Sequence, residues 1–202
     1  MMNKLHRISA AVIALYVVIH LMNHLIAVFG VDAHILTMKT LRSGYRLLLI
    51  EAVLVGSVLF QIASGVWFVW RRWGQQRGFY DHLQAVSGGY IAFFLLVHVG
   101  AVLQGRSTGL DTNFYFAAAG LHSFPAYLFF IPYYFLAVAA FFAHIACASR
   151  WVFRDKFSLL ERNRIATGLI ALGVVMAAVI VFTFAGGLFP MKIPAEYAAA
   201  FR

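Results

Sequence analysis

Ser9-Ala-Ala-Val-Ile-Ala-Leu-Tyr-Val-Val-Ile-His20 and Ser87-Gly-Gly-Tyr-Ile-Ala-Phe-Phe-Leu-Leu-Val-His98 decide how this chain is read. Each is an apolar run that begins at a serine and meets a histidine eleven residues later. Both lie inside longer apolar stretches, which occur at about 7–29, 46–70, 83–104, 124–149 and 164–189. Crossing roughly 30 Å of hydrocarbon takes about 20 apolar residues, and all five stretches meet that length. The sequence therefore predicts an all-α integral membrane bundle of five transmembrane helices. Turn chemistry separates them at Gly30-Val31-Asp32, Arg71 to Gly78, Gly105 to Gly109 and Arg150 to Lys156, and Gly186-Gly187 with Pro190 closes the fifth. The first stretch follows Lys4 and Arg7 as a secretory signal would. It is too long for one and carries His20, Asn23 and His24 inside, so it is read as a retained helix. No linker or low-complexity tract divides the chain, and residues 1–202 are read as one domain.

Composition agrees. Of 202 residues, 63% are hydrophobic and only 11% charged, with a mean hydropathy of +0.84. Soluble domains run near half apolar and a quarter charged, so a soluble fold, disorder and a soluble nucleic-acid binder are excluded together. Cys147 is the only cysteine, which rules out a disulfide framework. The net charge of +9 is read loop by loop, because cytoplasmic loops carry the Lys and Arg excess. With five spans, Lys4, Arg7, Arg71, Arg72, Arg77, Arg150, Arg154, Lys156, Arg162 and Arg164 share one side. Lys39, Arg42, Arg46, Arg106, Lys192 and Arg202 share the other. This bias predicts a cytoplasmic N-terminus, a C-terminus outside and a bacterial-type inner membrane. Trp67, Trp70, Trp73 and Trp151 fall near the proposed cytoplasmic boundary, where indole rings prefer to sit. Anionic lipid is a sufficient partner for the basic charge, and no nucleic acid is needed.

The chain also resembles itself. The second stretch ends Gln61-Ile-Ala-Ser-Gly-Val-Trp-Phe-Val-Trp-Arg71 and the fourth ends His144-Ile-Ala-Cys-Ala-Ser-Arg-Trp-Val-Phe-Arg154. With the Ser9/Ser87 and His20/His98 matches, these make helices 1–2 and 3–4 a pseudo-repeat of one hairpin. Parallel first and third helices place His20 and His98 at one depth, nearer the outer side. Gln61 and His144 share a second depth, about ten residues before their helices reach the cytoplasm. At about 1.5 Å per residue, two stacked sites are expected.

A polar side chain within a span is costly and by default faces the bundle with a function. Two neutral imidazoles projected from different helices form an axial cage for a b-type haem, without covalent attachment. Gly88, Gly89 and Gly100 would let a flat macrocycle approach the backbone, and serve plain helix packing equally well. The plainer alternative is a set of imidazoles that only bridge helices. His24, one turn beyond His20, could pair with it on a metal. Zinc wants three or four ligands, so a haem propionate or a quinone oxygen is the preferred partner of His24. Glu51 is the only acid well inside a span; it is read either as an ion-pair partner of Arg46 or another outer-loop base, or as a proton acceptor for quinol. A histidine-based metal transporter would need acids along a path, and the seven acids fall mostly in loops. Cys147 is read as a packing residue, and of the remaining histidines His6 and His82 are placed at the cytoplasmic rim and His34 and His122 outside.

The segment Leu5-His6-Arg7-Ile8-Ser9 resembles the Leu-His-Arg-x-Ser motif of the cytochrome b membrane-anchor subunits of succinate dehydrogenase and fumarate reductase. The likeness extends over most of the first 155 residues, through histidines late in the first and third helices and a further pair on the second and fourth. It implies that His20 and His98 hold the haem distant from the soluble subunits. It also implies that the second pair, here Gln61 and His144, holds the nearer one. Glutamine does not replace imidazole as a firm iron ligand, so one haem b in the outer half is expected, with His144 left for hydrogen bonding or a quinone. Arg7 and Ser9 match positions close to quinone or propionate; a lipid contact and a helix cap are their alternatives. The resemblance further implies soluble flavoprotein and iron–sulfur partners. The chain has no flavin, nucleotide or iron–sulfur motif of its own, so it cannot oxidise succinate alone. The alternative from another class is a haem-free membrane anchor or assembly subunit.

Overall fold

In the computed structural model the described chain, residues 2–72, 74–75 and 78–199, is all-α. Trp73, Arg77 and Arg202, used above in the aromatic and charge counts, lie outside the described residues. The helices are Met2–Ile26 (α1), Val31–Tyr45 (α2), Leu48–Arg71 (α3), Phe79–Ser107 (α4), Phe114–Ala118 (α5), Tyr127–Val152 (α6), Leu159–Phe184 (α7) and Ala195–Ala198 (α8). Five of them, α1 with its 3-10 extension to Phe29, α3, α4, α6 and α7, are long and apolar enough to cross a membrane. They coincide with the five stretches read from the sequence. Their ends differ by up to five residues, for local reasons. α7 starts at Leu159 because Ser158 and Glu161 form a reciprocal capping box, which satisfies two otherwise orphaned N–H groups. It stops before Gly186, whose φ of +84° no other residue type adopts easily.

α6 and α7 pack along their whole length, and α6 also lies along α4. Small residues make this possible: Ala137, Ala143 and Ala146 on α6 and Ala166, Gly173 and Ala177 on α7 are buried, and without hydrophobic drive in lipid, close backbone approach is what associates helices. α1 packs on α3 just as α4 packs on α6. The two hairpins of the pseudo-repeat are thus two equivalent pairs, with α7 added to the second. α1 and α4, which carry His20 and His98, do not pack along one another.

The end of the bundle opposite the N-terminus is closed by structure that the sequence reading left as loops. α2 folds back alongside α1, with Tyr45 edge-on to Tyr16 at 5.4 Å. Its polar content keeps it below the hydropathy of a span. Arg42 of α2 bonds Asp111 at 2.6 Å and also Thr112, fastening α2 to the α4–α5 connection. Beneath, Phe114 stacks on Phe184 at 4.3 Å within a cluster that includes Leu21, Ala27, Ala118 and Leu121. Asn113 caps α5 through the Tyr115 N–H and donates to the Tyr197 hydroxyl of α8 at 2.9 Å.

Candidate functional site: a string of imidazoles

Tyr16, His20 and His24 follow one another at four-residue intervals, so one face of α1 carries them in a column. Tyr16 stacks on His20 at 5.7 Å, and His24 stands edge-on to His20 at 4.4 Å. His24 uses both ring nitrogens: Nε2 lies 3.0 Å from His20 Nε2, and Nδ1 lies 3.1 Å from His34 Nε2. On the far side of His20, the His98 ring of α4 is 6.1 Å away centroid to centroid, and it stacks on Phe94 at 5.0 Å. Four histidines from three helices therefore form one continuous string.

His34 is the member that sequence reading placed outside the bundle. It is 1% exposed, because α2 folds it inward between Phe114 at 5.3 Å and Phe184 at 5.5 Å, parallel to the ring of His24. Asn23 Nδ2 also reaches His34 Nε2 at 3.1 Å. Burial, with the charge of Arg42 adding to it, pushes the His34 imidazole down to about 4, so it is neutral at physiological pH. Asn23 Oδ1 and His34 Nδ1 are buried without a hydrogen-bond partner. No pattern of spacing announced this site; only a lone histidine on an amphipathic stretch marked it.

An iron held by one nitrogen of each ring, at about 2 Å per bond, would need ring centroids about 6 Å apart, and those of His20 and His98 are 6.1 Å apart. His20 Nε2 would have to turn away from His24 to take that position. Among the described residues, no group of three or more His, Cys, Asp or Glu side chains is arranged to hold a metal ion.

The second level is built differently from the pair that the sequence suggested. The Gln61 amide donates to the His6 carbonyl and to Ser9 Oγ, the latter at 2.9 Å. His6, expected at the rim, is bonded to Ser64 at 2.6 Å and lies edge-on to Phe68, so it belongs to the α1–α3 interface. His144 Nδ1 faces Ser87 Oγ at 3.3 Å and the Gln84 carbonyl at 3.2 Å. Gly88 makes room for that ring, since a Cβ there would lie 2.9 Å from His144 Cε1. Gln61 and His144 thus each bond within their own hairpin, and no hydrogen bond joins them among the described residues.

The Arg7 guanidinium lies 4.2 Å over the Trp151 ring, a cation–π contact that ties α1 to α6. Glu51 is paired with Arg106, not Arg46, which joins the start of α3 to the end of α4; Arg46 turns to Thr112 Oγ1 at 3.1 Å. Cys147 is buried. His122, read as an outer-loop residue, hydrogen-bonds the Phe184 carbonyl at 2.9 Å and so caps the end of α7. No family model matches this chain, and no curated protein or solved structure matches it either.

Proposed function

We propose that this chain is a membrane-embedded haem b electron-transfer subunit that exchanges electrons with quinone and anchors soluble flavin and iron–sulfur partner subunits. One observation carries the reading: His20 and His98, on helices that do not otherwise pack along one another, have rings 6.1 Å apart. His20 and His98 would hold the group through one imidazole nitrogen each. Bound haem supplies one-electron chemistry, tuned by these ligands and their neighbours.

The rest of the string orients the pair. Phe94 and Tyr16 fix the ring planes of His98 and His20 by stacking. His24, released from His20, offers Nε2 to a propionate or a quinone oxygen while His34 holds its other nitrogen. The aromatic cap of Phe114 and Phe184 keeps water from this end. Arg7 and Ser9 mark the candidate quinone region at the opposite, N-terminal face, with His144 on the neighbouring hairpin. Glu51 accepts a quinol proton only after leaving Arg106, whose fork faces both of its oxygens. The basic bias of the N-terminal face supports a cytoplasmic position for it, in a bacterial-type inner membrane, and makes it the side for soluble partners.

The test is the optical spectrum of the chain purified from membranes of cells supplied with haem precursor. Reduced-minus-oxidised bands of a bis-histidine haem are expected, and a folded sample without them refutes the proposal. A second reading has its own support. His20, His24 and His34 are already joined nitrogen to nitrogen, as in a haem-free anchor whose histidines bridge helices. That reading predicts a featureless visible spectrum and a chain that still co-purifies with partners.

A further inference from the structure

At the N-terminal face, between the start of α1 and the end of α3, lies a cavity of about 340 Å³ lined by Asn3, Trp67, Phe68, Arg71, Arg72 and Gln75. We propose that it binds the phosphate-bearing headgroup of an anionic phospholipid. Its lining includes two guanidinium groups and two side-chain amides, all hydrogen-bond donors, and no carboxylate. Among the described residues, the ion pairs Arg42–Asp111, Arg106–Glu51 and Arg154–Asp155 involve neither Arg71 nor Arg72. The two helix ends do not change this balance. The first turn of α1 at Asn3 and the last of α3 at Arg72 carry about half a charge each, of opposite sign. Two full positive charges remain, and a phosphodiester supplies the fork-shaped acceptor that guanidinium groups bind best.

The surroundings favour a lipid over a free anion. The Arg71 guanidinium sits 4.9 Å over the Trp67 ring, so it is held at the level where indoles line a membrane boundary. Val66 and Trp70 on α3 and Leu5 and Ile8 on α1 are exposed large apolar side chains on the same stretch of these helices. They offer acyl chains an apolar surface on the same two helices. Basic pockets between membrane helices on the positively charged side are a recurrent way of holding anionic headgroups.

The experiment titrates the full chain in detergent with phosphatidylglycerol, phosphatidylcholine and inorganic phosphate, reading native mass spectra and the unfolding temperature. Phosphatidylglycerol is expected to bind and to raise the unfolding temperature, and the other two are expected to do neither. Arg71→Gln with Arg72→Gln should weaken phosphatidylglycerol about ten- to thirtyfold. Asn3→Glu, which puts a carboxylate into the cavity from the other helix and keeps both arginines, should do the same. Lys156→Gln, on the same face outside the cavity, should bind as the parent chain does. Equal stabilisation by inorganic phosphate would make this a free-anion site and overturn the proposal. So would parent-like binding by Asn3→Glu, or an equal loss in Lys156→Gln, which would leave only a diffusely basic rim.

Discussion

Ser87 and His144 are joined across α4 and α6, Oγ to Nδ1 at 3.3 Å, at the position where Ser9 and Gln61 are joined across α1 and α3 at 2.9 Å. The two hairpins of the pseudo-repeat therefore share a hydrogen bond as well as a sequence pattern, with glutamine in one copy where the other has histidine. Each bond staples its own pair of helices. Ser9→Ala and Gln61→Ala should be non-additive in unfolding free energy, with an interaction of about 0.5–1 kcal/mol. Ser9→Ala and Ser87→Ala, in different hairpins, should add. Double-mutant cycles in a denaturant titration measure both.

His20→Ala and His98→Ala should each abolish the haem spectrum, because the proposed site would draw one imidazole from each of two helices. His144→Ala should largely spare it, since His144 is bonded to α4 at the other level. Loss of the spectrum in His144→Ala alone would show that the pairing has been assigned to the wrong rings.

Gly173 meets α6 where it carries Phe142, and a methyl group added there would collide with the Phe142 Cβ and ring. The Cβ is fixed by the helix backbone and cannot swing away. Gly173→Ala should therefore cost about 1–3 kcal/mol, read as a lower unfolding temperature. Gly168→Ala, which has open space around its Cβ, should leave that temperature unchanged or raise it slightly.

His34 makes the α2 cap sensitive to acid. Its folded value of about 4 lies below the ordinary 6.5, so the unfolded chain takes up a proton at a pH where the folded chain does not. Its contribution is complete above about pH 6.5 and is lost as pH falls toward 4, at no more than about 1.4 kcal/mol per pH unit. The groups around it are His24, Asn23, Phe114 and Phe184, with Arg42 on its own helix. His34→Gln should flatten this part of the stability profile between pH 6.5 and 4. An unchanged slope would assign the acid sensitivity to other groups.

Glu51 and Arg106 are both part-exposed, and such pairs couple by about 0.2–1 kcal/mol. Glu51→Gln and Arg106→Gln should thus destabilise modestly, with the double variant little worse than either. Quinol oxidation separates the two roles of Glu51. As a clamp only, Glu51→Gln and Arg106→Gln should affect turnover equally. As a proton acceptor, Glu51→Gln should slow it at least tenfold while Arg106→Gln does not.

The sequence by itself determined the five long helices, because twenty consecutive apolar residues have one stable solution in a bilayer and need no partner to declare it. It also determined the equivalence of the two hairpins, since matched polar residues in apolar runs are rare enough to align. Only the tertiary structure decided the company of each polar group. α2 is too polar to register as a span, yet folding it back along α1 buries His34 against His24, ten residues away in sequence. Gln61 and His144, expected at one depth, turn instead to Ser9 and Ser87 of their own hairpins. Depth along a helix is set by sequence position at a fixed rise per residue, whereas the direction a side chain faces is set by which helices pack beside it.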